Sequence, residues 1–141
     1  MADKQARIVK RVLIASPGDL FEERKIAEEV IADWNIRHHR SRLRLEAVLW
    51  EKAAAPESRG KGDGAQYSIN HQLVDSCDCA IGMFWTRIGT PTKVAPGGAV
   101  EEVQRVQSHD KPVMLYFSNV AFRRQDVDFE QLTQLDAFRA S

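Results

Sequence analysis

The sequence predicts an α/β fold: a parallel sheet with helices on both faces, in a single domain spanning residues 1–141. Two observations carry this expectation. Apolar, strand-like runs alternate with helical periodicities in the order βαβαβαβα, and those runs are largely apolar on both faces. Strands apolar on both sides belong in a sheet covered twice, and connections of helical length join parallel neighbours by right-handed crossovers.

Ile8 to Ala15 is β-branched and apolar toward its end, and Ser16-Pro17-Gly18 stops it, as expected of a buried strand followed by a tight turn. Asp19 with Glu22 three residues on forms a capping-box-like start, and Leu20, Ala27, Val30, Ile31 and Trp34 recur at helical spacing. A first helix is therefore expected from about Leu20 to Ile36. Leu43 to Trp50 alternates and then turns apolar, which suits a strand near the sheet edge. The segment from Glu51 to Ala65 carries Pro56, Gly60, Gly62 and Gly64 among charges; loops of this length inside a compact domain are usually functional or mobile.

Ile69, Leu73 and Val74 mark a short helix, Ala80 to Trp85 a third strand, and Thr86 to Gly97 a second loop. Val100, Val103 and Val106 announce a third helix, Pro112 to Phe117 a fourth strand, and Phe129, Leu132, Leu135 and Phe138 a last helix. The pattern stops within that helix at Ala140-Ser141, so four strands are legible and a fifth is expected beyond them, in a chain that forms the N-terminal part of a longer protein.

Composition narrows the function. Twenty basic and twenty acidic residues cancel, which removes the electrostatic basis for a nucleic-acid surface or for attraction to anionic lipid. The longest apolar runs are far short of a membrane span, and Met1-Ala2-Asp3-Lys4-Gln5 is not a signal peptide, so a cytoplasmic protein without a membrane partner is expected. Cys77 and Cys79 sit two apart, poorly disposed to bond each other, and read as reduced core thiols. No metal site is expected, because His71 alone does not complete one.

In a parallel sheet, ligands bind beyond the carboxyl ends of the strands. Those ends gather Ser16-Pro17-Gly18-Asp19, Trp50-Glu51, Trp85-Thr86-Arg87 and Phe117-Ser118-Asn119, with Gly98-Ala99-Val100-Glu101-Glu102 beginning a helix beside them. At about 100° per residue the valine stripe leaves Glu101 nearly opposite and Glu102 on the flank, so Glu102 can face a pocket. Glu101, with Arg105 four residues on, suits a solvated pair.

Ser16-Pro17-Gly18-Asp19-Leu20 with Glu23-Arg24, Trp50-Glu51, Ile69-Asn70-His71-Gln72-Leu73, Cys77-Asp78, and Phe84-Trp85-Thr86-Arg87-Ile88-Gly89-Thr90-Pro91-Thr92 together resemble one family. It is a TIR-like domain often found at the amino terminus of large bacterial proteins, including multidomain signalling ATPases. That family is similar to TIR domains and to nucleoside 2-deoxyribosyltransferases, which implies a flavodoxin-like sheet and a glutamate set beside a ribose to cleave an N-glycosidic bond. The deoxyribosyltransferase-like pattern Gly-Thr-x-x-Glu maps onto Gly98 to Glu102; it selects Glu102, with Ala99 in place of the threonine.

The resemblance implies NAD as substrate, with no resident cofactor, and a role as effector module in bacterial antiviral defence or signalling. Nucleoside or nucleotide deoxyribosyl transfer, and a non-catalytic interaction or self-assembly domain, are the alternatives; other domains of a parent chain are the implied partners. Glu102 would stabilise or capture the positive sugar. Ser16 and the backbone of Pro17-Gly18-Asp19 would lie near a phosphate, Trp85 would stack a base and Arg87 would hold a phosphate. Asn70 is a further substrate-side candidate, or a brace for the loop after the second strand. Asp19 reads as the cap of the first helix rather than as a catalytic acid.

Overall fold

The structure is a computed structural model and describes residues 6–49, 72–89 and 98–141. Four strands form one all-parallel sheet in the order β2-β1-β3-β4, with β1 at Ile8–Ala15, β2 at Leu43–Leu49, β3 at Cys79–Phe84 and β4 at Val113–Phe117. Among the described residues, three longer helices flank it: α1 at Phe21–Arg37, α2 at Gly98–Ser108 and α3 at Phe129–Ala140. The fold is the expected three-layer α/β arrangement, and its strand order is that of a flavodoxin-like sheet. Residues 72–75 are also helical, and short 3₁₀ turns stand at Gly18–Leu20 and Arg124–Asp126.

Register explains why β1 and β3 are the centre. Ile8 to Ile14 pair with Leu43 to Leu49 on one side, while Val12 to Ala15 pair with Cys79 to Gly82 on the other. The apolar half of β1 is thus hydrogen-bonded on both sides. β3 and β4 run in register from Ala80 and Val113 to Phe84 and Phe117.

Alternation along the strands sends side chains to two separate cores. Leu13, Ala15, Ala80 and Phe84 pack with Ala99, Val100, Val103 and Val106 of α2 and Leu135 of α3. Val12 and Ile14 point the other way, with Leu49, onto Ile31 of α1. The expected valine stripe of α2 is fully inside. In α1, by contrast, Val30 is 58% exposed, so its buried face consists of Ile31 with Ala27 and Trp34 half-buried, and Leu20 is buried in the 3₁₀ turn before it.

Gly82 lets α2 approach β3 closely. A Cβ there would lie 2.9 Å from Leu115 Cδ2 and 3.0 Å from Val103 Cγ2, inside normal contact distance. Phe84, Phe117 and Phe138 extend this core toward the carboxyl ends, with ring centroids 5.3 to 6.3 Å apart.

At the opposite end of the sheet, polar groups close the connections. Arg105 makes a two-pronged bond to Asp75, at 2.7 and 2.9 Å, and Lys111 Nζ donates to the carbonyls of Asp75 and Cys77. Asp78 Oδ2 accepts from Arg11 N at 2.8 Å, continuing the β1–β3 ladder by one step. Cys77 and Cys79 are free thiols; burial pushes the Cys77 thiol up to about 11 from an ordinary 9.0 and raises that of Cys79 as well. They behave as the small core residues expected of them.

Three differences from the sequence expectation have physical causes. The 3₁₀ turn starts before α1, and the residue preceding α1 is Leu20, without a side-chain cap, so the Asp19–Glu22 capping box does not form. Asp19 is engaged across the sheet instead. β3 begins at Cys79 and ends at Phe84, one residue earlier than expected, which moves Trp85 off the strand. β4 is apolar yet half open: Met114, Leu115 and Tyr116 are 43%, 42% and 55% exposed, because β4 is the outer strand among the described residues. β2 is the other edge, as its alternation suggested. Among the described residues, no helix is long and apolar enough to cross a membrane.

Candidate functional site at the carboxyl ends of β1 and β3

The strand order sets the geometry. From β1 the chain proceeds outward to β2 on one side, and β3 and β4 continue on the other, so the connections after β1 and β3 diverge. Such a switch point leaves a crevice beyond the carboxyl strand ends. Ser16-Pro17-Gly18-Asp19 leaves β1 there, and Trp85-Thr86-Arg87 leaves β3 beside it.

The two turns are tied together. Asp19 Oδ2 accepts from Thr86 N at 3.2 Å and from Thr86 Oγ1 at 3.0 Å. Thr86 is a polar residue inside the core, 4% exposed, and it spends both donors on this carboxylate. The other carboxylate oxygen, Asp19 Oδ1, is shielded from solvent and has no hydrogen-bond partner among the described residues, and the same holds for Ser16 Oγ. Buried oxygens without partners cost about 1–3 kcal/mol each, more when charged. Native proteins keep few of them, often where a water or ligand completes the set.

Gly18 is exposed, and no described atom lies within 4 Å of where its Cβ would be. Its φ is not in the left-handed region, so neither crowding nor backbone conformation calls for glycine. Gly98, the first residue of α2, is equally open. Pro17 is buried beneath the turn.

α2 runs back across the sheet with its amino end toward the crevice and packs over β1 and β3. Val103 sits above Gly82, which is paired with Ala15, the last residue of β1. One turn earlier, about 6 Å nearer the carboxyl ends, comes Ala99. It is buried in the apolar core, so this position serves packing rather than a hydroxyl. Glu102 lies in the same first turns and is half-buried, as is Glu101; exposure alone does not separate the two carboxylates, and the flank position of Glu102 remains the distinction.

Trp85 is half-buried and held from the side: its Nε1 donates to Val120 O at 2.7 Å, and Phe122 meets its ring edge-on at 6.3 Å. The indole is therefore fixed by the segment after β4. Arg87 is exposed. Gln131 of α3 clamps the residues that follow it, accepting from Ile88 N and Gly89 N at 2.9 Å and donating to Gly89 O at 3.1 Å. Gly89 has φ 108°, which an L side chain would resist. Asn70, Trp50, Glu51 and His71 lie outside the described residues.

The structure thus brings Ser16, Pro17, Gly18, Asp19 and the start of the Trp85–Arg87 segment to one end of the sheet, tied together by Asp19 and Thr86. Thr86 and Gln131 are the participants that sequence reasoning did not single out. Thr86 carries no periodic signal, and Gln131 stands forty-two positions from its partner Gly89, so only the folded chain reveals either. A separate groove of about 540 Å³ runs along α1, lined by Phe21, Arg24, Lys25, Glu28, Glu29, Ala32 and Leu49; its two cations and two anions balance, and it contains none of the predicted site residues. No protein-family model matches the chain, and no curated protein matches it.

Proposed function

We propose that this chain is a TIR-like domain that cleaves the N-glycosidic bond of a nucleotide, with NAD as the substrate, releasing nicotinamide and ADP-ribose. What supports the reading is one feature of the topology: α2, which carries Glu102 in its first turns, packs over β1 and β3, and the Ser16–Asp19 and Trp85–Arg87 segments leave the carboxyl ends of those same strands. A carboxylate beside a crevice at a strand switch point suits a sugar at a bond-breaking centre.

The bond from the anomeric carbon to the nicotinamide nitrogen breaks, its electron pair leaves with the base, and positive charge develops on the sugar. The Glu102 carboxylate stabilises that charge electrostatically or captures the carbon, and water then adds, its proton passing to solvent. Resemblance in the motifs around Ser16 to Leu20 and Trp85 to Gly89 supports the same chemistry and a place in bacterial defence or signalling. The experiment is chromatography of NAD incubated with the chain and with its Glu102→Gln and Glu101→Gln variants. Nicotinamide release that is lost by about a hundredfold or more in Glu102→Gln, and kept in Glu101→Gln, is the expected result, on the order seen when a charge-stabilising group is removed. The opposite ranking of the two variants overturns the assignment.

A second reading, a self-assembling interaction domain, has its own observation. The outer edge of β4 is an apolar run, Val113 to Phe117, without charge or proline and with three of its five side chains more than two-fifths exposed. Edges of that kind favour strand pairing, with another chain or with a further strand of the same one.

A further inference from the structure

We propose that the amino-terminal corner of the sheet, where α1 ends and β1 and β2 begin, binds the phosphate backbone of double-stranded nucleic acid without regard to base sequence. The inference does not rest on the glycosidase reading, because this corner lies at the opposite end of the strands from the candidate crevice.

Basic and acidic residues balance over the whole chain, but the fold does not spread them evenly. No acidic residue stands between Ala6 and Gly18 or between Trp34 and Leu45. These two stretches meet at the corner: Ile8 N donates to Arg42 O at 2.8 Å, and Val9 and Lys10 are in register with Arg44 and Leu45. Arg7, Lys10, Arg37, Arg40, Arg42 and Arg44 are gathered there, all of them exposed. Arg37 pairs with Asp33 at 2.9 Å, whereas the side chains of the others make no hydrogen bond or ion pair among the described residues. The nearby carboxylates are already matched: Asp33 has Arg37, and Glu46 has Arg11 at 3.3 Å. Glu28 and Glu29 stand about 12 Å or more up the helix from Arg37, beyond a Debye length of about 8 Å at physiological salt.

The backbone that carries these cations is fixed. His38 N and His38 Nδ1 both meet Trp34 O at 2.9 Å, His39 Nδ1 meets Ile36 O at 3.1 Å, Ser41 N donates to His38 O, and Leu43 N donates to Ser41 Oγ. Charges held on an ordered turn lose less freedom on meeting a partner. The bonds to Trp34 and Ile36 also occupy carbonyls at the end of α1, whose partial negative charge opposes an anion.

Arginine dominates the patch, and guanidinium groups grip phosphate oxygens in pairs. A lipid surface fits less well, because the exposed Ile8 and Val9 of β1 point to opposite faces of the sheet and cannot enter a bilayer together. Single strands need an aromatic face to stack on, and Trp34 is half-buried with its ring covered by His38 at 4.2 Å. What the corner exposes is charge, which is sufficient for the phosphates of a duplex.

The test is fluorescence anisotropy of short labelled DNA and RNA duplexes and of a single strand, each titrated with the whole chain at two salt concentrations, beside cosedimentation with phosphatidylserine vesicles. Both duplexes should bind at micromolar concentration in about 50 mM salt and lose about a hundredfold in affinity by about 200 mM, as release of counterions from about four phosphates implies. The double variant Arg40→Gln/Arg42→Gln should weaken binding and lower the salt slope by about 2. It should keep the wild-type Tm, since neither side chain has a described partner. Arg124→Gln, in the 3₁₀ turn beyond β4, should leave binding unchanged. Absence of duplex binding at the lower salt, a salt slope unaltered in the double variant, an equal loss in Arg124→Gln, or preference for the single strand or the vesicles overturns the proposal.

Discussion

The Thr86–Asp19 pair yields a prediction in which two substitutions that look similar part company. Thr86→Val preserves shape and removes one donor, the Oγ1 hydroxyl 3.0 Å from Asp19 Oδ2, while the backbone N–H at 3.2 Å stays. A hydrogen bond to a charged group contributes about 1.5–3 kcal/mol, and its buried acceptor is left half-satisfied. A domain of this size loses about 3 °C of Tm per kcal/mol, so a drop of roughly 5 to 9 °C is expected. Asp19→Asn acts differently. The asparagine side-chain oxygen can take both Thr86 donors, and the oxygen that had no described partner becomes an amide nitrogen, which is cheaper to bury than a carboxylate oxygen. Loss of a negative charge at a helix start costs about 0.3–1 kcal/mol in the other direction. The two nearly cancel, and a change within about 1 kcal/mol follows. Urea denaturation of both variants and of the double variant at neutral pH measures this. In the Asp19→Asn background the Thr86 substitution should cost less, since its acceptor is no longer charged. If Asp19→Asn destabilises as much as Thr86→Val, the second carboxylate oxygen is structurally engaged and the reasoning about an unfilled acceptor fails.

Two further outcomes follow from the packing. Burial raises the Cys77 thiol to about 11, above its ordinary 9.0, so the neutral form is the one the fold accommodates; its contribution is whole below pH 9 and is lost as pH rises toward 11. The linkage relation puts that loss at about 2–3 kcal/mol. Cys77→Ala should flatten this part of the stability–pH curve in urea denaturation, whereas an unchanged slope would place the titration elsewhere. If β4 is an assembly edge, wild-type chain should self-associate with rising concentration in sedimentation velocity and Tyr116→Lys, a charge at an exposed edge position, should remain monomeric; a monomeric wild type at the highest attainable concentration removes the assembly reading.

Periodicity and turn chemistry were enough for the alternation of elements, the parallel sheet and the buried valine stripe of α2, because each depends on neighbours along the chain. The run Val12 to Ala15 could only be a doubly covered strand, and Val100, Val103 and Val106 could only be one helix face. Gathering of the site segments at the carboxyl strand ends followed from the same alternation. Asp19 illustrates the other class. Locally it reads as a helix cap, and its spacing to Glu22 supports that; its actual partner, Thr86, is sixty-seven residues away and reaches it only because β1 and β3 are adjacent. The strand order, the open edge of β4, the clamp of Gln131 on Gly89 and the buried oxygens of Ser16 and Asp19 that lack a described partner are likewise products of which strands lie side by side. Local pattern records what each segment must bury, whereas pairing between distant segments depends on the whole chain at once, and the candidate crevice of this protein is made at such a pairing.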